Sequence, residues 1–400
     1  MRLIRHMAAA LAAAMLTAAL SAVTAAAAND AYDGKTGDGN FGYILEENGK
    51  ITVDCLNSQL ETVELPAQID GYAVTGLADG CFDDCEFLTE ISLPDGLVEI
   101  GDGAFHDCIK LTQLTIPETV TTIGSEAFSG CAALTELTIP AAVSEIKSYA
   151  FDSTEGMTAF HVAQENPNYT SQDGVLFDKD MTTLLRYPEA KTATSYTVPD
   201  SCRSIADWAF IGARSLEEID LANVQTIGED AFYYCVGLKS VEIPEGVEEL
   251  VGAAFCYCVG LEEIKLPSTL KKIGENCFYS CTALTGVRLP HGLQQIDGYA
   301  FFHCTSLKKI NVPKTVDTIS GYCIGYFYDE ESEGRGVQKD LTVQVTKQTA
   351  GYTYASGNGL TYEFVSGIPT QTIVTGIVIV VVIVLAAAIV FVVIRRRRKA

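Results

Sequence analysis

The chain has 400 residues and a formal net charge of −24. Seven of its 27 basic residues lie in the end segments 1–28 and 373–400, and none of its 51 acidic ones do, so residues 29–372 carry twenty basic against 51 acidic groups, a net −31. So acidic a body excludes nucleic acid and anionic lipid as partners of this region.

Residues 1–28 open with Arg2 and Arg5, continue as an alanine-rich apolar run and end in four alanines. A basic start, an apolar middle and small residues at the end predict a secretory signal peptide.

From there a phrase recurs. Ala-Phe or Cys-Phe pairs place phenylalanine at Phe82, Phe105, Phe128, Phe151, Phe210, Phe232, Phe255, Phe278 and Phe301, and Ile324 holds the slot once more. Outside one break the interval is 23 residues, with a single 22. A fixed period in the twenties predicts a stacked solenoid, about ten units, each burying its apolar face against its neighbours. In residues 123–140 the Leu137-Thr138-Ile139 stretch alternates apolar and polar, which predicts a short strand with one buried face, and Pro140 ends it for want of a ladder donor. Stacked strands would form one parallel sheet about 4.8 Å per rung. The Ala-Phe pair would fill the interior opposite, and apolar pairs such as Val120 with Ile123 the loop or 3-10 return.

One interruption breaks the period. Phe151 to Phe210 spans 59 residues, and the excess falls within 163–198. Asn166-Pro167-Asn168-Tyr169 reads as a turn, followed by two short strands around a polar loop at Asp178-Lys179-Asp180. It is either a splice between two stacks or a protruding contact element.

Further on, Asp329-Glu330-Glu331-Ser332-Glu333 is an acidic loop without EF-hand grammar. Residues 373–394 are 22 positions without a charge, about 33 Å as a helix and long enough to cross a bilayer. Four arginines and a lysine follow in 395–400, a cytoplasmic stop. Ile368-Pro369-Thr370-Gln371-Thr372, in the stalk 367–372, lies where a wall-sorting motif would be but departs from it at Gln371 and Thr372. A plain single-pass membrane anchor is expected, with covalent wall attachment as the alternative.

The pattern Ile-Gly-x-x-Ala-Phe-x-x-Cys-x-x-Leu-x-x-Leu-x-Ile-Pro, as in residues 123–140, resembles the leucine-rich repeats of BspA-type bacterial surface proteins. The resemblance implies a leucine-rich-repeat solenoid over residues 61–345, an N-terminal cap over 29–60 and a C-terminal cap over 346–366. It also implies adhesion to host matrix proteins or other cells. The residues themselves imply an extended binding surface for an extracellular protein or glycan, or a self-associating envelope component.

Ten of the 13 cysteines follow the repeat, seven of them three residues after the phenylalanine. They are either a ladder of buried thiols or disulfides between neighbouring rungs. Cys256-x-Cys258 lacks a matching pair, so no metal site is expected, and no cofactor. The histidines are scattered through different repeats, and no catalytic motif appears, so the chain is not expected to be an enzyme.

Two columns of the repeat are candidate sites. Beyond the phenylalanine, early acids give way to an aromatic column of Tyr233, Tyr234, Tyr257, Tyr279, Phe302 and His303, suited to burying area on a partner or stacking on sugar, or simply sealing the stack. On the outward strand face, Lys265 and Arg288, extended by Lys308 and Lys309, form a basic patch for an anionic glycan or acidic protein.

Overall fold

The structure, a computed structural model, describes residues 32–329 and 334–365. The expected signal peptide, stalk, membrane helix and basic tail lie outside these residues. Among the described residues no helix is long and apolar enough to cross a membrane.

The repeat folds as a parallel β-solenoid of about thirteen turns. Each turn enters through the predicted strand, for example Glu136–Ile139, whose residues alternate exposed and buried. These strands stack in register, Glu136–Ile139 on Ala159–Val162 and, after the interruption, a continuous run from Ser195–Thr197 to Thr361–Phe364. Proline follows the strand and the chain turns inward.

The return differs from the loop or 3-10 reading. Its two-residue apolar steps form a second parallel ladder, with Thr122 and Ile123 paired to Glu99 and Ile100 on one side and Glu145 and Ile146 on the other. Identical short segments stacked at a fixed rise can satisfy their backbone groups between turns rather than within them. The glycine after this step is a packing requirement: a Cβ on Gly124 would sit 2.4 Å from the Gly101 carbonyl carbon.

The third side carries the phenylalanine. Its backbone is a chain of tight turns with two left-handed residues per turn, two before and two after the phenylalanine, as at Gly80 and Asp84 or Gly103 and Asp107. This alternation prevents a 3-10 helix and directs three N–H groups per turn at the next turn. In the turn around Phe232, Asp230 donates to Gly252 O, Phe232 to Ala254 O and Tyr234 to Cys256 O. The phenylalanine rings stack inside, 5.2 Å between Phe82 and Phe105 and 4.9 Å between Phe232 and Phe255, nearly parallel. Each buried ring contributes roughly 2 kcal/mol of apolar transfer.

The cysteines are thiols with a defined task. Cys108 Sγ donates to Phe82 O, Cys258 Sγ to Phe232 O and Cys281 Sγ to Phe255 O, at 3.1–3.2 Å. Six cysteines three residues after a phenylalanine thus return to the carbonyl of the previous phenylalanine.

The ends are closed as caps. An antiparallel hairpin, Phe41–Leu45 with Ile51–Cys55, covers the first rung, and Ile51–Cys55 then pairs in parallel with Tyr72–Leu77. At the other end the helix Ala350–Gly357, N-capped by Thr349, places Tyr354 against Ile324, and Thr361–Phe364 forms the last strand.

The interruption contains three strands rather than two. Tyr169–Gln172 and Val175–Asp178 make a hairpin, and Thr183–Arg186 pairs antiparallel with the latter and in parallel with Ser204–Ile205. Tyr187 takes the phenylalanine slot, stacked on Phe210 at 5.0 Å. Phe151 packs instead on Phe160, and the apolar core divides here into two clusters.

Phe255→Ala is expected to cost ~3–5 kcal/mol in urea unfolding, the range for deleting a fully buried ring; a loss below ~1 kcal/mol would show that the stack does not carry the fold. The intact mass of the chain is expected to be unchanged by reductant, and a gain of two daltons per bond would replace the thiol ladder with disulfides.

Candidate binding surfaces

The aromatic column exists as contacts between turns. Tyr233 meets Tyr257 at 5.7 Å, Tyr257 meets Tyr279 at 5.4 Å, and Tyr279 stacks on Phe302 at 5.2 Å. Tyr234 is 41 % exposed, Tyr257 and Tyr279 are half-buried, and Phe302 is buried beneath the others. His303 is half-buried, and its Nδ1 accepts the Tyr328 N–H at 3.2 Å.

The structure also lengthens the column. Tyr149, Trp208, Tyr299 and Tyr322 occupy the slot two before the phenylalanine and join the same strip, with Tyr149 to Trp208 at 5.9 Å, Trp208 to Tyr233 at 5.7 Å and Tyr299 to Phe302 at 5.4 Å. The sequence analysis missed them because it followed only the positions after the phenylalanine; the same period carries the signal. Two rings already hold cations: the Arg214 guanidinium lies 5.4 Å from the Tyr234 centroid and that of Arg335 3.9 Å from Tyr322.

Seven of these aromatic residues, Tyr149, Trp208, Tyr234, Tyr257, Tyr299, His303 and Tyr322, have positive φ. Earlier turns fill those slots with Gly80, Gly103, Asp84 and Asp107, which tolerate this conformation better. The bulky rings therefore stand where the backbone least favours them.

The basic patch is only partly assembled. Lys265, Arg288 and Lys309 line one shallow depression on the strand face with Asn311 and Gln344, and Lys308 lies outside it. Lys265 pairs with Glu242 at 3.3 Å, Lys309 with Glu363 at 2.7 Å, and Lys308 with Asp340. Arg288 makes no ion pair among the described residues. The register explains the Lys265 pair, because a residue 23 positions away sits one rung away; Lys308 and Lys309 find their carboxylates in the C-terminal segment that closes the stack. Such exposed pairs are worth ~1 kcal/mol or less. Among the described residues no cluster of histidine, cysteine and carboxylate groups is arranged to hold a metal.

A sequence profile of the BspA type leucine-rich repeat region matches residues 55–174 and 203–330 in six copies. The chain belongs to the BspA-type leucine-rich-repeat family. Its fold is similar to that of a leucine-rich repeat protein from Eubacterium ventriosum, with a TM-score of 0.56 and 23 % identity over 71 % of this chain and 92 % of that one. It is similar also to the pneumococcal vaccine antigen PcpA, with a TM-score of 0.55 and 18 % identity over 83 % of this chain and 98 % of that one. No curated protein matches the sequence. The relatives are bacterial repeat proteins and not a known enzyme family.

In this BspA-type chain the gap between the two repeat matches, 175–202, overlaps the interruption, at whose centre is one buried arginine. Arg186 Nη2 donates to Phe151 O at 2.6 Å and Glu189 Oε1 at 2.8 Å, and Nη1 to Asp152 Oδ1 at 2.9 Å and Trp208 O at 2.7 Å. It thereby staples the upstream stack to the downstream one. Burial pushes Glu189 up to about 7, Arg186 opposing and Asp152 assisting. Burial, then Glu229, Asp152 and Asp207, raise nearby Asp230 to about 6.

Because Glu189 binds its proton more tightly in the folded chain, its ionisation costs stability as pH rises from about 4.5, its ordinary value, through about 7. Glu189→Gln, which mimics the protonated acid, is expected to melt like the natural chain at pH 5 and above it at pH 8; a lower melting temperature at pH 8 would mean that the ion pair outweighs desolvation.

Proposed function

We propose that this BspA-type chain is an extracellular binding protein, exported by its first 28 residues and held at the cell surface by the apolar segment 373–394, its solenoid presented outward. The reading rests above all on the aromatic strip from Tyr149 to Tyr326, seven of whose rings occupy left-handed positions that earlier turns give to glycine and aspartate. A stack needs no ring at those positions, since turns with Asp84 and Asp107 close equally well. Rings kept against backbone preference at a surface support selection for contact rather than for folding. A protein or glycan ligand suits such rigid, amphipathic area, with adhesion to host matrix or to other cells as the biological role.

A second reading is self-association. The last strand, Thr361–Phe364, is exposed along its whole length and carries Tyr362 and Phe364 beside Tyr352. An open edge with exposed rings is a template for another chain.

Tyr234→Asn and Tyr257→Asn keep a residue type that tolerates positive φ, so the pair together with Tyr279→Ser is expected to melt within about 1 kcal/mol of the natural chain. The triple variant should lose binding to whichever matrix protein or glycan the natural chain captures on an array. Salt-resistant binding would fit the strip, and salt-sensitive binding the Arg288 depression. Retained binding by the triple variant would remove the strip from the account, and concentration-dependent self-association with no array ligand would favour the envelope reading.

A further inference from the structure

The turns around the phenylalanines obey a strict rule, and one turn breaks it. From Phe82 to Phe128 and from Phe210 to Phe301, each turn sends three N–H groups to the carbonyls of the next, from the phenylalanine and from the residues two before and two after it. The turn at Phe151 sends none: the N–H groups of Tyr149, Phe151 and Ser153 have no acceptor among the described residues. On the far side of the gap Asp207 O and Ile211 O receive no donor, while Ala209 O accepts from Tyr187. An open ladder therefore faces the interruption from both sides.

The gap is a cavity of about 250 Å³, lined among others by Ser148, Tyr149, Phe151, Asp152, Arg186 and Asp207. Two of its lining residues hold buried, unmatched donors. Phe151 is 5 % exposed and its N–H is unpaired among the described residues, as is Nε of Arg186, which is 4 % exposed. Buried donors of this kind cost free energy until an acceptor arrives. Asp152 and Asp207 supply acceptors on the same wall. Tyr149, 42 % exposed, supplies an apolar face to the cavity, and the Trp208 ring meets it edge-on at 5.9 Å from just outside the lining.

We infer that this cleft is a binding site for one neutral sugar ring, such as a terminal hexose of a glycan. The ligand must carry an acceptor for the Phe151 N–H and donors for Asp152 and Asp207. A hydroxyl does both, and a ring of hydroxyls does so within a small volume. Anionic sugars and phosphates are disfavoured by Asp152 and Asp207 on the wall, because the cations there are already paired, Arg186 with Asp152 and Glu189 and Lys147 with Asp102 at 2.9 Å. An extended peptide is disfavoured because the Arg186 guanidinium lies across the gap, bonded to Phe151 O and Trp208 O, where a continuous strand would run. The site stands on the cleft alone and does not require the strip around Tyr234 and Tyr257 to bind anything.

Trp208 is the only tryptophan of the 400 residues, and its emission reports the cleft through its ring contact with Tyr149. The full chain is titrated with methyl glucoside, methyl galactoside, methyl mannoside and N-acetylglucosamine, with N-acetylneuraminate and acetyl-glycyl-arginine amide as the anionic and peptide probes. At least one neutral sugar is expected to change Trp208 emission saturably, with little dependence on salt and no effect from the other two probes. Tyr149→Ser, at an exposed site, should weaken that sugar about tenfold, a loss of ~1.4 kcal/mol, while leaving the melting temperature unchanged. Sugars that leave Trp208 emission unaltered, a peptide or anionic probe that alone alters it, or undiminished sugar affinity in Tyr149→Ser would each overturn the assignment. Array binding that depends on Tyr234 and Tyr257, with no sugar effect at Trp208, would sink the cleft and leave the surface reading standing.

Discussion

The solenoid depends on hydrogen bonds made between turns. A 23-residue unit of this composition holds only two short strand segments and a chain of tight turns, none of which could persist alone. What fixes them is the ladder from each phenylalanine turn to the next, with three N–H groups per turn, reinforced by the thiol that reaches back to the previous phenylalanine carbonyl. The phenylalanine stack gives that ladder its register, because ring-on-ring contact near 5 Å matches the rise the backbone bonds require. Left-handed residues on either side of the ring are the geometric condition for it. They turn successive N–H groups toward the neighbour instead of along the chain, so the position tolerates glycine and aspartate easily and a large ring only at some cost.

Most of this was legible in the residues because a repeat multiplies weak signals. One Leu-x-Ile-Pro is a poor strand predictor, but many in register define a sheet, and the ten cysteines at fixed offsets marked a packing need, which for six of them proves to be a bond to a phenylalanine carbonyl. The second ladder was not legible. Two-residue steps such as Thr122-Ile123 are too short for alternation to show, and they become strands only through stacking. The third strand of the interruption, Tyr169–Gln172, was missed for a related reason: its residues are polar or half-buried and lack the apolar alternation of a core strand. The aromatic strip was half legible. The slot after the phenylalanine declared itself through Tyr233-Tyr234, whereas Tyr149, Trp208, Tyr299 and Tyr322 stand among Gly80, Gly103 and Asp230 in their own column and do not read as a stripe until the chain is wound. The basic patch illustrates the opposite limit, since the same register that gathers Lys265 and Lys309 on one face also delivers Glu242 and Glu363 to neutralise them.

The interruption is where these rules conflict, and the conflict is resolved by charge. Continuing the stack would require a phenylalanine turn one rung beyond Phe151. The chain supplies Arg186-Tyr187 instead, with the tyrosine in the ring slot facing forward to Phe210 and the arginine facing back to Phe151. A guanidinium spans the gap that a ladder would have closed, and its geometry allows it to bond carbonyls on both sides at once. Burying that charge demands the two carboxylates that flank it, and burying them in turn raises Glu189 toward neutrality. Among the described residues Arg186 Nε and Tyr187 Oη remain without partners even so. A joint made only for continuity would have been simpler as another Ala-Phe turn, since 23 residues suffice for a rung elsewhere in this chain. Here 59 residues separate the flanking phenylalanines, and they leave a lined opening with unmatched donors rather than a sealed junction. The same place begins the aromatic strip, at Tyr149 and Trp208. The physical economy of the repeat therefore points to the break, more than to any regular rung, as the place where this surface was shaped by something other than its own stability.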